Sequence, residues 1–205
     1  MKAIIGKKVG MTSIFQEGKF YGVTVLDVSD NVVTQVKKED TDGYNAVQVG
    51  FDSKTEKASN NAEKGHFKKA NTAVKRKVVE IRDYEFEKNV GETISVDTFA
   101  EGEVVSVIGT SKGKGFQGVV KRHGFHGVGM GTHGQHDRQR APGSLGASSD
   151  PSRVMPGMRM AGRMGGVRVK TKGVKIVKIM ADKNLILVNG SVPGAIGSYV
   201  VVESL

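Results

Sequence analysis

Cysteine is absent from the 205-residue chain. Disulfides and thiolate metal sites are thereby excluded, and the composition is compatible with a reducing cytoplasm. Long apolar runs are absent too. No segment approaches the roughly 18–20 apolar residues of a membrane span. Near the start the only apolar run is Ala3-Ile4-Ile5, too short for the core of a secretory signal. These absences set the expectation of a soluble intracellular protein. No internal repeat is present. Acids are scarce in one place: from Ser111 to Arg168 the only carboxylates are Asp137 and Asp150. Paired-carboxylate catalysis therefore has no obvious home there.

The same span is rich in the opposite charge. It holds Lys112, Lys114, Lys121, Arg122, Arg138, Arg140, Arg153, Arg159, Arg163 and Arg168, so it carries +8 of the chain's net +10. Half of the 28 glycines and four of the five histidines lie between Thr110 and Gly166. Between these ends no convincing helical or strand period appears. A connection longer than about 12–15 residues without regular structure is usually functional or disordered. A pI near 9.7 points to a polyanion, of which nucleic acid is the commonest. An anionic membrane surface would call for an amphipathic basic helix with a large apolar face, and none is found. Thr110 to Gly166 is read as the working part and the rest as its scaffold.

The scaffold reads as short strands. Lys2 to Gly10 opens with a short apolar strand and continues as Gly6-Lys7-Lys8-Val9-Gly10. Met11 to Phe15 and Phe20 to Val28 read as strands joined at Gln16-Glu17-Gly18-Lys19, where glycine supplies the positive φ of a tight turn. Asn31 to Lys37 and Tyr44 to Phe51 follow, so the first fifty residues read as a β meander. Asp52 to Lys77 is polar and lysine-rich, with one short helix expected over Ala62 to Ala70. It is read as a solvated surface excursion. The alternative is a secondary nucleic-acid contact through Lys64, Lys68, Lys69, Lys75, Arg76 and Lys77. Strands are expected again at Val78 to Arg82, Thr93 to Val96 and Val104 to Ile108, with turns at Gly91 and Gly102. After the basic stretch come Val167 to Val169, Val174 to Met180, Leu185 to Val188 and Ser198 to Val202. Asp182-Lys183-Asn184 reads as a hairpin turn and Ser191 to Gly197 as a loop. Many short strands with little helix argue for a small closed barrel, because closure removes exposed edges. The basic stretch interrupts this pattern, so its ends near Gly109 and Val167 should lie close together in the barrel wall.

Several motifs in the stretch carry rival readings. Gly113-Lys114-Gly115-Phe116-Gln117-Gly118 matches G-x-G-x-x-G after a strand, as in dinucleotide folds. Only one or two helical turns can follow before the glycines after His123, and no strand–helix–strand alternation appears. The glycines better suit close approach to a phosphate chain. His123-x-x-His126 and His133-x-x-His136, with Asp137, resemble paired metal ligands, but they lie on glycine-rich chain with no rigid element to fix them. Imidazoles stacking on bases or donating to RNA oxygens fit better. Ser144, in Pro142-Gly143-Ser144-Leu145-Gly146, is not a nucleophile elbow. Met155, Met158, Met160 and Met164 interleave with Arg153, Arg159 and Arg163, and the glycines and Pro156 forbid a long helix. Flexible methionine suits chain threading between RNA helices. No enzyme chemistry, metal or cofactor is expected.

Taken as a set, these residues resemble a known family. Gly6-Lys7-Lys8-Val9-Gly10-Met11-Thr12, then Gly109-Thr110-Ser111-Lys112-Gly113-Lys114-Gly115-Phe116-Gln117-Gly118 leading to Lys121-Arg122-His123-Gly124, Pro142-Gly143-Ser144, Met160-Ala161-Gly162-Arg163-Met164-Gly165, and Asn184-Leu185 with Val192-Pro193-Gly194 are similar to the L-three family of large-ribosomal-subunit proteins, bacterial branch. The resemblance implies a mainly β protein with a six-stranded translation-protein-type β-barrel, a long irregular basic extension and one or two short helices. Residues 1–109 and 167–205 would form the barrel domain, with the surface excursion at 52–77. Residues 110–166 would form the extension that penetrates rRNA. It further implies direct binding to large-subunit (23S) rRNA, a role in nucleating assembly, and an extension tip near Pro142 to Pro151 that approaches the peptidyl transferase centre without chemistry. Neighbours of the L-fourteen and L-nineteen families would touch the barrel, and the protein would sit in the cytoplasmic large subunit. Some bacterial members carry a methylated glutamine just after the glycine matching Gly146. Here Ala147-Ser148-Ser149 stand in that place, so no such modification is expected. Many members have an aromatic–lysine pair where this chain has Met155-Pro156, and a phosphate contact is not carried over to that point.

The expected rRNA contacts are Lys112, Gly113, Lys114, Gly115, Lys121, Arg122, His123, His126, His133, His136, Arg138, Arg140, Ser144, Arg153, Arg159, Gly162, Arg163 and Arg168. The rival from another class is a non-ribosomal RNA chaperone using the same basic loop. It would bind many RNAs with similar affinity.

Overall fold

The computed structural model describes residues 1–16, 18–84, 88–129, 131 and 133–205. The chain divides into two compact units, one made of Met1–Ser111 with Arg168–Leu205 and the other of Lys112–Val167.

In chain order the first unit begins with strands β1 (Ala3–Gln16), β2 (Lys19–Asp27) and β3 (Val32–Lys37), then a one-turn helix α1 (Glu39–Asp42). Strand β4 (Ala46–Ser53), helix α2 (Asn61–Lys69), β5 (Lys75–Arg82) and β6 (Val104–Thr110) follow. The second unit has the two-residue strand β7 (Phe116–Gln117), helix α3 (Val119–His123) and the two-residue β8 (Gly162–Arg163). The first unit resumes with β9 (Arg168–Met180), β10 (Leu185–Asn189) and β11 (Tyr199–Ser204).

Six strands hydrogen-bond in the closed order β1-β11-β6-β9-β10-β2, and β2 pairs back onto β1. Every pairing in this ring is antiparallel. The sequence makes such a ring because its strands are rich in β-branched residues; β9 interleaves them with lysine over residues 174–178, whereas β6, β10 and β11 are nearly continuous apolar runs. Register aligns one apolar belt: Ile4 faces Val202, Val202 faces Val107, Val105 faces Val174, and Ile186 faces Leu26. All seven are buried. In β1, Ala3, Ile4 and Ile5 are all fully buried in succession, which demands cover on both faces. The second cover is a three-stranded sheet, β3-β4-β5, whose β4 packs on β1. Val33, Val47, Val49, Phe51 and Ile81 of this sheet join the ring residues in one core.

Polar groups tie the two sheets. Asn31, 1% exposed, donates from Nδ2 to the carbonyls of Ile5 (2.8 Å) and Val28 (2.7 Å), and its Oδ1 accepts from the Ile5 amide at 3.1 Å. Asp52 at the end of β4 accepts from the Tyr199 hydroxyl at 2.6 Å and from Lys7 Nζ at 3.4 Å. The Tyr199 hydrogen bond and then the Lys7 charge hold the Asp52 carboxyl below its ordinary 3.8. The same contact pushes the Tyr199 phenol up.

Several boundaries differ from the sequence reading. The first fifty residues are not one meander, since β2 pairs with β10 and β3 belongs to the other sheet. β1 runs unbroken through Gly6-Lys7-Lys8-Val9-Gly10, absorbing the irregularity as a bulge between Lys8 and Gly10. At the turn between β1 and β2, Gly18 has φ +75, and Glu17 lies outside the described residues. Thr93 to Val96 makes no strand, only a single bridge from Thr93 to Val32 before a 3-10 turn at Val96–Thr98. The two strands expected at Val167 to Val169 and Val174 to Met180 are one, β9, beginning at Arg168. Helix α1 had no sequence signal. Thr110 pairs directly with Arg168, so the ends of the basic stretch meet in the ring as expected.

Candidate nucleic-acid interface

The second unit is built around a small clasp. Lys114 N–H donates to Met164 O at 2.9 Å, and Met164 N–H returns a bond to Gly115 O at 2.9 Å. Phe116 and Gln117 then pair with Arg163 and Gly162. After Gly118 the chain turns into α3, which buries Val119 and ends where Gly124 takes a left-handed φ of +76. That glycine stops the helix, as Gly commonly does at this position. Lys121, Arg122 and His123 fill its last turn, where cations suit the exposed carbonyls.

Two predicted contact residues hold this clasp together. Arg122 is half-buried, and its Nη1 donates to Met160 O at 2.5 Å. His123 Nε2 sits 3.0 Å from the same carbonyl, so it is the protonated nitrogen if it donates there. One carbonyl thus takes two donors from 37 and 38 residues away. The glycines divide in two. A Cβ on Gly162 would stand 2.9 Å from the Arg122 guanidinium, and one on Gly165 (φ +73) would collide with the Lys112 carbonyl. Their close approach is to the chain itself. Gly113 and Gly115 have open space at the Cβ position.

The remaining predicted residues of the unit face solvent. Lys112, Lys114, Lys121, Arg138, Arg140, Arg153, Arg159 and Arg163 are all exposed. Among the described residues none of these eight is in an ion pair. His126, His133 and His136 are exposed, and His133 and His136 line a shallow recess with Gly131 and Gly134. Among the described residues no three histidines or carboxylates converge as a metal-binding group. Ser144 Oγ is used locally, donating to Gly146 O at 2.9 Å. Met155, Met158 and Met160 are exposed, and Met164 is half-buried. Arg168 belongs to the other unit, as the exposed first residue of β9.

The polar excursion of the first unit also sorts its cations. Helix α2 is closed by a capping box: Glu63 N–H donates to Asn60 Oδ1 at 2.8 Å, and Asn60 N–H donates to Glu63 Oε2 at 3.1 Å. Only Phe67 of this helix is buried, and Lys64, Lys68 and Lys69 are exposed, with Arg76 and Lys77 on β5. Lys75 is different. Its side chain is 3% exposed and its Nζ lies 2.5 Å from Asp30 Oδ1, so it is a structural ion pair and drops out of any contact surface. Lys8, which the sequence reading gave no role, is also buried, donating to Val192 O and Gly194 O. Its place inside Gly-Lys-Lys-Val-Gly gave no hint of that burial.

The family model described as Ribosomal protein L3 matches residues 36–185. The chain is also similar to the large ribosomal subunit protein uL3 of Salinibacter ruber (strain DSM 13855 / M31). The two are 57% identical over 199 residues, which cover 96% of each.

Proposed function

Because the chain belongs to the ribosomal protein L3 family, we propose that its second unit is the part that grips large-subunit rRNA directly. The protein is a structural component of the large ribosomal subunit of the cytoplasmic ribosome, works in translation, and is not an enzyme. The observation that carries the rRNA reading is the set of eight exposed cations in Lys112–Val167 without an ion pair among the described residues. Cations left without internal counter-charge are what a phosphate surface neutralises, with release of its condensed counterions.

In this reading the six-stranded ring is a translation-protein-type barrel that stays on the subunit surface. Residues 110–166 run inward through rRNA toward the peptidyl transferase centre, with Pro142 to Pro151 at the tip. Much of this stretch has little regular structure, so part of its ordering accompanies RNA folding around it. The clasp is the exception, since it closes on its own hydrogen bonds. Early binding to 23S rRNA would then nucleate assembly, and neighbours of the L-fourteen and L-nineteen families would dock on the barrel. The direct test is binding of the intact chain to a large-subunit rRNA transcript beside an unrelated structured RNA of equal length. A strong preference for rRNA supports the reading. Equal binding overturns it in favour of a general RNA chaperone.

A further inference from the structure

Phe116 is 77% exposed, yet it sits on the best-built part of the second unit. The pairing of β7 with β8, the two backbone bonds between Lys114, Gly115 and Met164, and buried Val119 fix its backbone. The ring is thus carried to solvent on a backbone that is itself held in place. Most exposed apolar side chains are unremarkable singly. This one differs in its surroundings.

Gly115 precedes it and Gly118 lies two residues on, beyond Gln117; neither brings a side chain, and nothing lies within 4 Å of either Cβ position. Arg163 stands opposite Phe116 across the ribbon, but its guanidinium folds toward Gly166. Among the described residues the cation–π contacts are those of Lys37 and Arg82 with Tyr44, and no ring lies against Phe116. By contrast, the other strongly exposed phenylalanines, Phe15 and Phe20, cover each other with centroids 4.9 Å apart. Around Phe116 the chain is cationic through Lys112, Lys114 and Lys121, and the unit's acids are only Asp137 and Asp150. A bare aromatic face within a positive field is the recognition element of single-stranded nucleic acid: the cations track the backbone and the ring stacks a base.

We infer that Phe116 is a base-stacking residue, taking the face of one unpaired nucleobase of the RNA the second unit binds. The glycines beside it serve to admit that base, and the clasp holds the ring at a fixed height for it. This rests on the rRNA-binding reading above, and the test separates the two.

Full-length wild type, Phe116→Leu and Phe116→Trp are compared on a large-subunit rRNA transcript and on a homopolymeric single strand, across a salt series. Because Phe116 is exposed, all three should share one far-UV spectrum and one melting temperature. Leucine keeps the apolar bulk and removes the π face. Tryptophan keeps the face. The expected result is a loss of roughly 5- to 150-fold for Phe116→Leu with an unchanged salt slope, and near wild-type binding for Phe116→Trp. Chemical probing should show one base gaining reactivity in the Phe116→Leu complex alone. If Phe116→Leu binds both RNAs like wild type, the stacking role is wrong. If both variants lose equally, the ring fills a shaped apolar pocket and stacking is again wrong. If wild type shows no preference for rRNA but Phe116→Leu still loses on the single strand, the ring stacks and the proposed selective grip on rRNA falls instead.

Discussion

Replacing Gly165 by alanine should open the clasp, and the structure sets the size of the effect. Gly165 has φ +73, a region that costs an L residue about 1–2 kcal/mol. The added methyl would also meet the Lys112 carbonyl, which is backbone and cannot swing aside. Relief requires a backbone shift, and the adjacent bonds are Lys114 N–H to Met164 O and Met164 N–H to Gly115 O. Each is worth about 0.5–1.5 kcal/mol net. The sum is about 2–5 kcal/mol of local stability. Hydrogen exchange by NMR in the full chain reads this directly. The Lys114 and Met164 amides should exchange at least about 30-fold faster in Gly165→Ala. Gly113→Ala is the control. Nothing lies within 4 Å of its Cβ position and its φ is not positive, so exchange should barely change. If Gly165→Ala protects these amides like wild type, or if Gly113→Ala matches it, the clasp is not held as argued.

Three further outcomes follow from the first unit. Asn31→Ala leaves two carbonyls and the Ile5 amide without their buried partner, so urea unfolding should show a loss of about 2–4 kcal/mol, and a change under 1 kcal/mol would contradict the bridging role. Asp52 has a folded pKa below its ordinary 3.8, so its contribution is full above that value and is lost as pH falls through the folded pKa. Asp52→Asn, which tolerates the φ of +59, should therefore flatten the acid limb of the stability–pH curve, and parallel curves would refute this. Asn60→Ala removes one half of the capping box and should cost about 1 kcal/mol, detectable as faster exchange confined to α2.

Much of the fold was legible because strand signals are local. The short apolar, β-branched runs Val104 to Ile108 and Leu185 to Val188, and the glycines at Gly91 and Gly102, mark elements without reference to the rest of the chain. Charge and glycine content change abruptly at the ends of the basic stretch, and Thr110 pairs with Arg168 there. What escaped was long-range. β1 looks broken at Gly6-Lys7-Lys8-Val9-Gly10, since only its pairing with β2 and β11 keeps it extended. Asn31 reads as the polar first residue of a strand, and its burial depends on Ile5 arriving from another strand. In the candidate interface, composition exposed the cations but not their division of labour. Arg122 looks like any other arginine until Met160, 38 residues on, supplies its acceptor. Nothing in the sequence separates Gly162 and Gly165 from the other glycines of the stretch, and only the folded chain brings Arg122 and Lys112 against them. Phe116 sits inside the Gly113 to Gly118 motif without a signal of its own, because its isolation from other rings is a property of the folded unit.

The central claim is that Lys112–Val167 anchors the protein to rRNA through about eight phosphate contacts. Affinity for a large-subunit rRNA transcript, measured across a salt series, tests it. The intact chain is compared with one whose residues 112–166 are replaced by a short Gly/Ser link, a closure the direct pairing of Thr110 with Arg168 permits. The intact chain should show a slope of log affinity against log salt of about −6 to −7. The shortened chain should bind far more weakly with a much flatter slope. Equal affinity and equal slope would mean that the ring carries recognition, and the account given for the basic unit would be wrong.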